Sequence, residues 1–187
     1  MKDSFDILID HIEKIVPLSS EEKEFIIRHF HLKRYKKHQY IVNEGERTKY
    51  HYFILSGLTK LVYLDQNGKE HIVSFAMEDW WESDFYAFYT KTLATLSLIC
   101  LEDTTVLALS HDDYIKLCNE NPKMLKFFLE KANYGFLGMQ RRILSFLTLN
   151  TSQRYEHFLK QYPKLLNRLP KSQLAAYLGV SRESLSR

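Results

Sequence analysis

Between Lys33 and Leu109 the apolar residues stop recurring at helical spacing and gather into short β-branched and aromatic runs. That change of period constrains the fold more than any other feature. The runs are Tyr35, residues 40–42, 50–55, 58–64, 71–76, 93–100 and 105–109. They are separated by turn-forming residues at Asn43 to Gly45, Ser56-Gly57, Asp65 to Gly68 and Glu102-Asp103. Asn67-Gly68 between two such runs predicts a type I′ hairpin. Several short strands at this spacing predict a sandwich or jelly roll.

Helical periods flank the strands. Phe5, Leu8, Ile9, Ile12 and Ile15 predict a helix over 4–16, stopped by Pro17. Ser19 to Glu22 predicts a cap for a second helix carrying Phe25, Ile26 and Phe30. After Ser110 a short helix is expected to about Asn119. Asn121-Pro122 then opens a long one reaching about Leu149, and another helix follows over 151–161. The long helix is apolar over much of its girth, so it needs cover on two sides. Its own β-domain can supply one. Self-pairing is the simplest source of the other, with Phe128, Leu137, Ile143, Leu144 and Leu147 as expected contacts.

The last nineteen residues carry a helix-turn-helix pattern. Leu174, Ala175 and Leu178 form the buried face of a helix over 171–178. Gly179 supplies a left-handed stop, Val180 plugs the turn and Ser181 caps a second helix. Arg182, Glu183, Ser184 and Arg187 then fall near the start of that helix, the part that faces base edges in such motifs. Arg can pair both acceptors of guanine, and Glu can accept from the amino group of cytosine. Lys171, Ser172 and Gln173 complete the expected DNA-facing set. The sequence ends inside the second helix, so the domain is expected to be incomplete and without its wing.

With 45 % apolar residues the chain can bury a full core, while a net charge of +3 is too small to argue nucleic-acid binding alone. The two cysteines, Cys100 and Cys118, make no metal or disulfide pattern, so a reduced cytoplasm is the expected compartment. No secretory core and no membrane-length apolar run is present, and no membrane partner is expected. There is no nucleophile elbow, P-loop or dinucleotide fingerprint, and the chain is read as a non-enzyme.

Tyr52 to Gly57, Asn43 to Glu46, Asn121-Pro122 and above all Ser181 to Arg187 resemble motifs of the Crp/Fnr transcription regulators. The resemblance runs from about Tyr35 to the end. It implies an α+β chain: N-terminal helices and a cyclic-nucleotide-binding-like jelly roll over 1–110, linking and dimerisation helices over 111–149, and a winged helix-turn-helix over 150–187. It also implies a homodimer on an inverted-repeat DNA site, with RNA polymerase and a small-molecule effector as further partners.

The chain departs from the family's cyclic-nucleotide binders. Those carry a Gly-Glu pair for the ribose and an Arg-Ser or Arg-Thr pair for the phosphate. Here Glu82-Ser83 and Ala94-Thr95 stand at those places, and Met139-Gln140 stands where the long helix would contact the base. Without the Arg a cyclic phosphate meets no fixed cation, and Lys91 lacks the guanidinium fork. The expectation is a degenerate pocket around Trp81, Glu82, Ser83, Lys91, Ala94, Thr95, Met139 and Gln140, with no cofactor and little affinity for cyclic AMP. Trp80, Phe85, Tyr86, Phe88 and Tyr89 are expected to fill it or to line one for an apolar ligand. Two alternatives stand beside a DNA-binding regulator: a cyclic-nucleotide-responsive one, and a cupin-like metal enzyme built on histidines such as His29, His31, His51 and His71. The basic run from Lys33 to His38 is expected before the first strand, and Arg141-Arg142 near the dimer seam.

Overall fold

A computed structural model describes residues 3–180. Eight strands form two four-stranded antiparallel sheets. They are β1 (Phe30–Tyr35), β2 (Tyr40–Val42), β3 (Tyr50–Ser56), β4 (Thr59–Leu64), β5 (Glu70–Ala76), β6 (Trp81–Glu82), β7 (Ser97–Cys100) and β8 (Thr104–Ser110). One sheet runs β1-β8-β3-β6 and the other β2-β7-β4-β5, which is the expected jelly roll.

The central strands β3, β7 and β8 and the first half of β4 are buried on both faces, which explains their near-continuous apolar runs. Tyr52, Ile54, Val106 and Ala108 point between the sheets with Leu61 and Leu98. Their strand neighbours Phe53, Leu107 and Leu109 point the other way. There they meet α1 (Ser4–Glu13), α2 (Ser20–Ile27), α4 (His111–Glu120) and the first turns of α5 (Pro122–Thr148). The outer face of the second sheet carries Leu58, Val62, Ile72, Phe75 and Ile99. These pack on Phe158 of α6 (Thr151–Gln161), Leu165 of α7 (Pro163–Leu166), and Leu174 and Leu178 of α8 (Lys171–Leu178). The order of layers is therefore helices, sheet, sheet, helices.

Helix boundaries follow their caps. Ser19 and Glu22 form a capping box on α2. Asn121 accepts from the Lys123 and Met124 amides ahead of Pro122, and Asn150 with Gln153 boxes α6. Gly57 has φ +104, and a Cβ there would lie 2.5 Å from the Thr104 hydroxyl, so only Gly lets the two loops meet.

Three local expectations are corrected. Phe30 begins β1 rather than ending α2, and Lys33 to Tyr35 lie within that strand, because Phe30 to Tyr35 pair residue by residue with Leu109 to Thr104. The Asp65 to Gly68 hairpin is not type I′. Gly68 alone has positive φ, its N–H bonds the Asp65 carbonyl, and the Asp65 carboxylate takes the Asn67 and Lys69 amides. The run 93–100 becomes a strand only from Ser97, and a short helix α3 (Phe85–Thr90) precedes it. No described helix is long and apolar enough to cross a membrane.

Candidate functional site

The segment expected to hold a phosphate holds a side chain instead. Asp84 is the N-cap of α3 and is almost fully buried. One carboxylate oxygen accepts the Ala87 amide at 3.0 Å. The other accepts the amides of Thr95 at 2.9 Å and Leu96 at 3.1 Å, and the Thr95 hydroxyl at 3.3 Å. A helix N-terminus and two loop amides converging on one point form an anion seat. Here Asp84 occupies it. Thr95, part of the expected pocket, directs its hydroxyl to Asp84. Ala94 is buried, and Ser83 donates its hydroxyl to the Tyr50 carbonyl. Lys91 is exposed, in a left-handed turn after α3.

Beside this seat lies an open cleft of about 850 Å³ between the sandwich, α5 and α6 to α8. Trp81, Glu82 and Met139 from the expected pocket line it, as do Trp80, Phe85 and Tyr89. Phe88 is buried beside it and Tyr86 is exposed. The aromatic residues therefore line a space rather than fill it. Gln140 is exposed and outside the lining.

Glu82 is fully desolvated at the inner end. Burial pushes its carboxyl up to about 7, against the opposing hydrogen bonds from the Ser74 hydroxyl and the Ser83 amide. His51 lies nearby among Trp81, Phe85, Phe88 and Phe128, with ring centroids 4.7 to 6.3 Å away. Neither imidazole nitrogen has a partner, and burial lowers its pKa to about 3. The Trp81 indole N–H is also unpartnered.

Lys131, Arg141, Arg142 and Arg154 bring positive charge to the other part of the cleft. Arg142 faces inward rather than lying at a dimer seam. Its Nη2 donates to the Ile72 carbonyl at 2.8 Å and the Tyr177 carbonyl at 3.0 Å, and its guanidinium lies 3.9 Å from the Tyr177 ring centre. Below the cleft, Arg168 forks onto two carboxylates. Its Nη1 and Nη2 reach Glu78 at 2.7 and 3.1 Å, and its Nε and Nη2 reach Glu102 at 3.0 and 2.6 Å.

The long helix divides its apolar residues. Phe128, expected at the dimer contact, is buried in its own protomer against Tyr114, Phe127 and Trp81. Leu137, Ile143, Leu144 and Leu147 are exposed, as are Leu125, Leu129, Phe136 and Met139. In the segment expected to form a helix-turn-helix, α8 ends on Gly179 at φ +69, whose amide bonds the Ala176 carbonyl while the Val180 amide bonds that of Ala175. Lys171 and Ser172 are exposed, and Gln173 is half-buried. Ser181, Arg182, Glu183, Ser184 and Arg187 lie outside the described residues.

The histidines do not converge. His29 pairs with Asp113 at 2.8 Å and His71 with Asp65 at 2.9 Å. No group of three His, Cys, Asp or Glu side chains able to hold a metal occurs among the described residues. Sequence reasoning missed Asp84 and Arg168 as site residues and named His51 only as a candidate metal ligand. For Asp84 the signal was present: an Asp directly before Phe85-Tyr86-Ala87-Phe88-Tyr89 reads as a helix cap.

Residues 32–121 match the family model of the cyclic nucleotide-binding domain. The cAMP-activated global transcriptional regulator CRP of Salmonella typhimurium is 21 % identical over 183 residues, covering 91 % of this chain and 86 % of that protein. Among solved structures, FixK2 from Bradyrhizobium japonicum superposes with a TM-score of 0.74 at 17 % identity, covering 84 % of this chain and 81 % of that one. The c-di-GMP responsive global regulator CLP of Xanthomonas campestris gives 0.72 at 17 % identity, covering 90 % and 89 %.

Proposed function

We propose, from the premise that this chain carries a cyclic nucleotide-binding domain on the fold of the Crp/Fnr regulators, that it is a homodimeric, sequence-specific DNA-binding transcription regulator. The observation that carries the reading is α8. It buries Leu174, Ala175 and Leu178, exposes Lys171 and Ser172, and ends on a left-handed Gly179, with Ser181, Arg182 and Glu183 next but one in the sequence. Domain limits of 1–110, 111–149 and 150–187 follow the sandwich, the long helix and the helix-turn-helix. Double-stranded DNA and a second copy of the chain are the partners this reading requires. RNA polymerase and a small effector are further partners by analogy with the family.

A cyclic-nucleotide-responsive regulator is the second reading, favoured by the match over residues 32–121. Asp84 weighs against it. Its carboxylate holds the donors that a cyclic phosphate would need, and a second anion there would meet like charge.

Selection from random duplexes with a protein carrying the complete recognition helix tests the proposal. An inverted repeat with half-sites about one helical turn apart is expected. Arg182→Ala should cost about 1–3 kcal/mol on that site at fixed salt and little on a scrambled duplex. Equal losses on both duplexes would reduce Arg182 to a phosphate contact. Failure to enrich any repeat would remove the regulator reading. Low-micromolar calorimetric binding of cyclic AMP would restore the second one.

A further inference from the structure

We propose that the cleft between β5, α5 and α6 to α8 binds an organic anion with an aromatic or otherwise apolar body and one acidic head group. Its volume of about 850 Å³ suits a drug-sized molecule. Val73, Phe75, Trp80, Phe128 and Phe158 supply apolar wall. That wall carries the cations Lys131, Arg141, Arg142 and Arg154 against the carboxyl groups of Asp79 and Glu82. No ion pair among the described residues involves Lys131, Arg141, Arg142 or Arg154.

Arg142 and Arg154 each lie 5.3 Å from the Phe146 ring centre, and in both the buried Nε has no acceptor. Two partly buried guanidinium groups sharing one ring, without a counter-ion, are stabilised by an anion placed between them. A second observation lies at the other end. His51 is 5 % exposed, lines the cleft, and has two unpartnered nitrogens. Its neutral imidazole can donate one hydrogen bond and accept another from a polar atom on the ligand body. The seat held by Asp84 is not part of this site.

Arg142 already joins Ile72 of the sandwich to Tyr177 of α8. A head group that draws Arg142 away alters how α8 is held. Such a ligand would thereby act as an effector, and in that role the inference rests on the regulator reading.

The test uses two fluorescent probes of matched body on the full-length chain: 8-anilinonaphthalene-1-sulfonate and the uncharged N-phenyl-1-naphthylamine. The sulfonate should bind at least about tenfold more tightly. Arg142→Gln and, separately, Arg154→Gln should remove most of that preference. A Cβ at Gly138 meets nothing within 4 Å. Gly138→Phe should therefore fold normally, fill the cleft and weaken both probes. Equal affinity for the two probes, or affinities indifferent to all three variants, would overturn the site. Selection of DNA duplexes on the same preparations separates the two claims. Variant-sensitive probe binding without an enriched repeat leaves the site standing and removes the regulator. An enriched repeat with indifferent probe binding removes the site alone.

Discussion

A carboxylate taken out of water is tolerated only where its oxygens are bonded, and Asp84 meets that requirement with three amides and one hydroxyl. Asp84→Asn keeps the shape but turns an NH₂ group toward N–H donors. It should cost about 2–4 kcal/mol in urea unfolding; a loss under about 0.5 kcal/mol would mean the seat is not bonded as described. The buried titratable groups set opposite pH dependences. His51 and His11 have pKa values lowered by burial to about 3 and about 4. The unfolded chain therefore takes up protons first, and stability is lost as pH falls below about 6.5. Glu82 is raised from 4.5 to about 7. The unfolded chain releases that proton first, so stability is lost as pH rises from about 4.5 to 7 and then levels. His51→Phe should shrink the acid limb. Glu82→Gln should raise stability at pH 8 by on the order of 3 kcal/mol, with little effect at pH 4. Unfolding midpoints across pH check both, and parallel curves for wild type and variants would refute the assignments.

At the scale of elements, the local rules were legible wherever a cap or stop spoke for itself. Asn121-Pro122, Asn150 and Gly179 start or end helices in the sequence and in the structure. What was not legible depended on distant pairing. Phe30 has helical spacing from Ile26, yet its partner is Leu109, 79 positions away by number. The two-residue β6 has no periodicity to detect and exists because Tyr52 and Phe53 pair with it. The cleft was unreadable for the same reason, since its walls come from separate segments. On α5 the spacing held more than the expected list. Leu125, Leu129, Ala132, Phe136, Met139 and Ile143 follow alternating steps of four and three, and all are exposed. That heptad stripe runs alongside the buried Phe128, and its members Ala132, Phe136 and Met139 also line the cleft. It supports pairing of two α5 helices in register. Ile143→Glu and Leu129→Glu should each raise the dimer dissociation constant by at least about 100-fold. Sedimentation showing unaltered dimers would place the interface elsewhere.

At the scale of the molecule, α6 to α8 do not stand apart from the sandwich. Phe158, Leu165, Leu174 and Leu178 share one core with Leu58, Val62 and Ile72, so α6 to α8 ride on the outer face of the second sheet. An apolar contact alone fixes neither register nor orientation. Arg168 adds direction, because a planar fork meets two carboxylates in only one arrangement. Glu78 comes from the loop after β5 and Glu102 from the loop after β7; both strands end beside Thr59, so two loops at one end of the sheet hold the same guanidinium. Glu78 is held in turn by the Gly57 amide at 2.9 Å, which ties the latch to the one loop where only Gly fits. Arg168→Ala should leave two partly exposed carboxylates without their cation and cost about 1–3 kcal/mol. The cost should be local. Amide hydrogen exchange in α6, α7 and α8 should quicken while β3 and β8 keep their protection. Arg168→Lys should recover only part of the effect, since an ammonium cannot bridge both carboxylates with the same geometry. Uniform quickening across all strands would show that Arg168 supports the whole fold. No quickening at all would show that the shared core alone holds these helices in place.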